Sequence, residues 1–98
     1  MAYRVQLSTL VNRQIASWHL SDTMLVEVQL RLRQDLREDP ARSLIRLREP
    51  FDGMCYLFST VDPENRLREH LFAFQVLYHS DEERIVVARG GYQRRDGF

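Results

Sequence analysis

Apolar and polar residues change rhythm twice along the chain, dividing it into a strand, a helical stretch and a run of strands. In YRVQLS, residues 3–8, Tyr3, Val5 and Leu7 alternate with polar neighbours, which is the period of a half-buried strand. From Ser8 or Thr9, either able to cap a helix, Val11, Ile15 and Trp18 recur at i, i+4 and i+7. They fall on one face of a helix ending near His19, and Ser21 or Asp22 caps the next helix.

MLVEVQLRLRQDLRED, residues 24–39, supports two patterns. Val26, Val28, Leu30 and Leu32 alternate as in a strand, whereas Leu25, Val28, Leu32 and Leu36 form a helical stripe. Length and composition decide for a helix over 24–38, because the stretch has no turn former and is rich in Leu, Gln, Arg and Glu. Glu27 with Arg31 and Arg31 with Asp35 add i,i+4 pairs, and Pro40 stops the helix. Val26 and Leu30 lie off the stripe. Apolar surface left over in this way suits a partner, either another protein or a second copy in a homodimer.

Beyond Pro40 the texture becomes strand-like: SLIRLR (43–48), MCYLFST (54–60), HLFAFQVLY (70–78) and RIVVAR (84–89) are separated by segments rich in Pro, Gly, Asp and charge. Closely joined sequential strands predict an antiparallel meander. The expected architecture is α+β, β-α-α-β-β-β-β, with a two-helix hairpin on one sheet face. Gly90 and Gly91 read as the turn that ends the last strand.

With 98 residues, 44% of them hydrophobic, the chain suits one domain, 1–98. It contains no run able to span a bilayer and opens without a secretory pattern. The single cysteine, Cys55, excludes an internal disulfide and reads as a small core residue, so a cytoplasmic location is expected. Fourteen basic residues, all arginine, balance fourteen acidic ones, which argues against coating nucleic acid by bulk charge. Arginine's planar fork suits a local phosphate site, but exclusive use of arginine spread over the whole chain reads first as codon bias in a GC-rich genome and marks no one site. His19, His70 and His79 lack metal-ligand spacing, and ARGGYQ lacks the ending of a phosphate loop. Neither a metal nor a cofactor is expected. His70, at a strand start, reads as a solvated edge residue. Phe51, Tyr56, Phe58, Phe72, Phe74 and Tyr78 suggest a base-stacking platform or, given the period of two within 72–78, a packed core face.

FAFQVLYHSDEERIVVARGGYQRR (72–95), together with the leading YRVQLS, the helical pair and the Asp-Pro stop, resembles the RelE/ParE superfamily of bacterial type II toxin-antitoxin toxins. The likeness covers nearly the whole chain. It implies a growth-regulating toxin bound by a cognate antitoxin, acting as an endoribonuclease on ribosome-bound mRNA (an mRNA interferase) or as a non-catalytic binder, for instance of DNA gyrase. RNA cleavage needs cations around the phosphate and groups that move protons. The basic positions of the nuclease branch fall here at Leu57, Ser59 and Gln75, its later arginine or histidine at Tyr92, and its late tyrosine at or near Phe98. The remaining catalytic candidates are Arg94, Tyr92 and Arg89 around the phosphate, with His70 for proton transfer.

Overall fold

The computed structural model describes residues 3–38, 40–46 and 54–97. Within them the chain forms β1 (Arg4–Leu7), α1 (Thr9–Ser17), α2 (Asp22–Glu38), a single turn α3 (Pro40–Ser43), β2 (Ile45–Arg46), β3 (Met54–Asp62), β4 (Asn65–His79) and β5 (Arg84–Asp96). No helix among the described residues is long and apolar enough to cross a membrane. Phe51 and Phe98 lie outside the described residues, as do the last two positions of the strand expected over 43–48. Ser43 itself belongs to α3, and of the described positions in that stretch only Ile45–Arg46 pair as strand.

Local chemistry accounts for the helices. Ser8 caps α1 by accepting the Val11 N–H at 3.0 Å, and its own hydroxyl donates to the Ala88 carbonyl at 2.6 Å. The same side chain thus starts a helix and ties it to β5. Ser21, rather than Asp22, caps α2 by accepting the Met24 N–H at 3.2 Å. His19 joins the two helices in the left-handed region, φ 53°. In α2 the helical period prevails over the alternating one: Met24, Val28, Leu32 and Leu36 are buried, with Met24 taking the end of the stripe expected for Leu25. Val26 and Leu30 remain 58% and 48% exposed.

The sheet order is β1-β5-β4-β3-β2. From β2 to β5 it is the expected antiparallel meander, but β1 pairs with β5 in parallel, Arg4 opposite Arg84 through Leu7 opposite Val87. The sheet is therefore mixed: the helical pair carries the chain away from β1, and the meander returns with its last strand beside it. β4 begins at Asn65, so His70 sits inside that strand rather than at its start. β5 continues to Asp96, so Gly90 and Gly91 lie within it and do not form a turn. The reason Gly stands at 90 is close approach: a Cβ there would meet the Phe74 ring at 2.7 Å and Trp18 at 3.1 Å.

One irregularity in β5 decides which side chains face the helices. Val76 pairs with Val87 and Gln75 with Arg89, leaving Ala88 as an extra residue. Such a bulge reverses the alternation of everything beyond it. Ile85 and Val87 face the helices before it; Gly90, Tyr92 and Arg94 face them after it. Ser8 holds the extra residue's carbonyl.

The core fills the space between this sheet face and the helices, with Val11, Val28, Leu32, Leu36, Phe74, Val76, Ile85 and Val87 fully buried. Phe72 and Tyr56 are nearly so, and Trp18 packs on Phe72 and Phe74 at ring separations of 5.9 and 6.0 Å. Phe72, Phe74 and Tyr56 are thus core, with no face free for stacking bases. The Tyr56 hydroxyl donates to the Asp35 carboxylate, pinning β3 to α2; burial and that carboxylate push the phenol's pKa strongly upward.

Candidate functional site

The two faces of the sheet offer different chemistry. On the open face lie Leu57, Val61 and Leu77, all about half exposed, with Leu71, Ala73, Gln75 and Ser59 beside them. A shallow groove of about 510 Å³ runs there past Leu57, Ser59, Leu71, Ala73, Gly91 and Gln93. Arg89, opposite Gln75, and Arg95, which bonds Glu69 at 2.6 Å, belong to this face. Cys55 is half buried on it, and burial pushes its thiol pKa up.

The titratable groups gather instead at one end of the helix-covered face. His70, opposite Thr60 on β3 and Arg94 on β5, is 5% exposed. Its Nε2 lies 2.8 Å from Asp62 Oδ2 and its Nδ1 2.6 Å from Tyr92 Oη. A carboxylate only accepts, so Nε2 carries a hydrogen and donates it to Asp62; in the neutral ring Nδ1 is then free to accept the Tyr92 hydroxyl. Asp62, His70 and Tyr92 thus form a hydrogen-bonded line from carboxylate to imidazole to phenol.

Each member is held from elsewhere. Asp62 ends β3 and accepts the Glu64 N–H through Oδ1 at 2.8 Å, closing the turn into β4 while Oδ2 holds His70. Those two bonds, the histidine's first, lower the Asp62 pKa below its ordinary value. Tyr92 stacks on Trp18 at 5.4 Å and lies 5.2 Å from Phe72. Burial raises its pKa against the opposing pull of Arg94 and Arg68.

A pocket of about 450 Å³ opens over this line, walled by Trp18, Leu20, Ser21 and Met24 from the helical joint and rimmed by Arg68 and Arg94. The two guanidinium groups share one carboxylate: Arg68 reaches Asp96 at 2.9 Å and Arg94 reaches it at 3.5 Å. Both pairs are partly exposed, so an anion of higher charge can compete with Asp96 for them. The arrangement offers a proton path ending at a phenol, beside two cations.

Of the candidates named from the sequence, His70, Tyr92 and Arg94 come together here. Arg89 does not, because it sits one residue before Gly90 and so projects from the opposite face. His70 is not the solvated edge residue its sequence position suggested: the long β4 and the Asp62 turn enclose it. Sequence reasoning missed Asp62, Arg68 and Asp96. Asp62 read as a turn former, which it also is, and only strand pairing brings it eight positions along the chain to His70.

No protein-family model and no curated protein sequence matches the chain. Among solved structures, its fold is shared with a chain of the toxin-antitoxin complex RelBE2 from Mycobacterium tuberculosis, with a TM-score of 0.65 and 19% sequence identity. The match covers 95% of this chain and 100% of that one. The α+β arrangement implied by the sequence resemblance is therefore present, and the likeness is one of fold.

Proposed function

We propose that residues 1–98 form a single RelE-like domain, the toxin-type component of a type II toxin-antitoxin pair, and that it acts in the cytoplasm by cleaving RNA at the corner defined by Asp62, His70, Tyr92 and Arg94. The observation that carries the catalytic reading is the burial of His70 between a carboxylate and a phenol at the foot of an arginine-rimmed pocket. Arg94 and Arg68 supply positive charge for the scissile phosphate, and the histidine line supplies proton transfer. Side chains meet both needs, so the reaction requires no cofactor. The fold shared with a chain of RelBE2 supports the toxin assignment. Val26 and Leu30, exposed on α2, supply apolar surface for an antitoxin.

Induced expression with growth measurements, followed by mapping of mRNA ends, tests this reading. The expected result is growth arrest with new mRNA ends, relieved by Arg94→Ala in a protein that still folds.

A second reading rests on the open sheet face. Its uncharged Leu57, Ser59 and Gln75, with Val61 and Leu77 exposed nearby, suit a protein that binds its target, such as DNA gyrase, without cutting anything. Growth arrest without new RNA ends, unchanged by Arg94→Ala, would establish that reading in place of the first.

A further inference from the structure

Resting on the ribonuclease reading, we propose that Tyr92 is the proton-transferring catalytic residue of this site, and that His70 and Asp62 are positioning residues acting through it. Accessibility sets the order. His70 is 5% exposed and both of its ring nitrogens are engaged. It cannot reach a substrate oxygen without breaking one of these bonds. Tyr92 lines the pocket, and its hydroxyl, while donating to His70, keeps the lone pairs needed to accept a substrate proton. It stands on the same face of β5 as Arg94, two residues on, so a phosphate held at Arg94 brings its neighbouring oxygens toward the phenol.

The step balances within the line. The 2′-oxygen attacks phosphorus, the O2′–P bond forms and the P–O5′ bond breaks. Tyr92 Oη takes the 2′ proton as its own hydrogen passes to His70 Nδ1, and Asp62 stabilises the resulting imidazolium. The proton then returns through Tyr92 to the departing 5′-oxygen, leaving a 2′,3′-cyclic phosphate, a free 5′-hydroxyl and the line as it began. The charged and titratable groups surrounding the line are Arg68 from β4, Arg94 and Asp96 from β5, Glu64 from the β3–β4 turn and His19 from the helical joint.

The test compares Tyr92→Phe, Asp62→Asn and Arg94→Ala on message-programmed ribosomes and on a labelled single-stranded oligoribonucleotide, with cleavage rates measured across pH. Tyr92→Phe keeps the ring packed on Trp18 and loses only the hydroxyl. Its rate is expected to fall roughly 100-fold or more, in a protein that still folds but melts somewhat lower, because His70 Nδ1 loses its buried partner. Asp62→Asn is expected to slow cleavage and to displace the acid limb of the pH–rate profile, which a purely structural loss would leave in place. A Tyr92→Phe protein that cuts as fast as the parent, while Arg94→Ala has lost activity, overturns the role of Tyr92 and leaves the ribonuclease reading standing. An Asp62→Asn protein with a lower melting temperature and an unmoved pH profile overturns the positioning role. A parent that leaves both RNAs intact overturns the ribonuclease reading, and this assignment with it.

Discussion

The helix-covered and open faces of the sheet are made from the same three long strands, yet they differ in almost every property that bears on function. One face buries Phe72, Phe74, Val76, Ile85 and Val87 and ends in the line Asp62–His70–Tyr92. The other exposes Leu57, Val61 and Leu77 and carries Arg89, Arg95 and, at the end of β4, the exposed His79, far from Asp62 and Tyr92 along the strand. Neighbouring residues in a strand belong to different environments, so a cluster in sequence is not a cluster in space. The Arg-rich end of the chain shows this directly. Arg94 joins the pocket, whereas Arg95 pairs with Glu69 on the far side.

The sharpest contrast between the faces is in stability. Phe74 is fully buried at the centre of the core, under Trp18 and against Gly90. Phe74→Ala is expected to destabilise the fold by about 3–5 kcal/mol. Leu57→Ala, on the open face, is expected to change it by no more than about 0.5 kcal/mol. Chemical denaturation of the two variants measures both. Comparable losses would show that the open face is covered in the folded protein and that the two-face description is wrong.

The second contrast is in activity. Arg94→Ala is expected to lower RNA cleavage by roughly 100 to 1,000-fold, the usual cost of removing one donor from a developing charge. Arg89→Ala, five positions earlier and on the other face, is expected to leave the rate within about threefold, since it removes no transition-state contact. Message cleavage assays on both proteins decide the matter. A large loss with Arg89→Ala and none with Arg94→Ala would move the site to the open face.

The third concerns the bulge that sorts the two arginines. Gly90→Ala places a Cβ 2.7 Å from the Phe74 ring, an overpacking expected to cost about 1–3 kcal/mol. The equivalent change at Gly91, where nothing lies within 4 Å, is expected to be nearly neutral. Equal melting temperatures for the two variants would mean that Gly90 does not face the helices, and the assignment of Tyr92 and Arg94 to the pocket side would fail with it.

The bulge also explains how much of the molecule was legible in the sequence. Periodicity located β1, both helices and β3 to β5, because each buries one face and its apolar residues repeat accordingly. The choice of helix over strand for 24–38 followed from length, and burial of Val28, Leu32 and Leu36 bears it out. His70, Tyr92 and Arg94 were nameable because few residue types can move a proton or hold a phosphate. Their separation from Arg89 was not, since a single unpaired Ala88 reverses the alternation and leaves no mark in composition. Parallel pairing of β1 with β5 was likewise invisible, because the same half-buried alternation fits either direction. Asp62 was hidden by its second role: a turn aspartate looks the same whether or not its other oxygen holds a histidine.

The smallest expected effect reports on that second role. The Asp62 carboxyl has a pKa below its ordinary 3.8, chiefly because the His70 N–H donates to it and then because the Glu64 N–H does. In the unfolded chain the group returns to its ordinary value and takes up a proton sooner as the solution is acidified. The folded state is thus favoured by the ionised carboxylate, fully so above the ordinary carboxylate range, and that advantage is lost as pH falls through the folded value. Asp62→Asn should accordingly be less stable than the parent near neutral pH, with the difference shrinking below about pH 4. Urea denaturation of both proteins at pH 7 and about pH 3 measures the difference. A gap that stays constant between the two conditions would mean that the Asp62 charge does not contribute to holding His70, and that the line begins at the histidine.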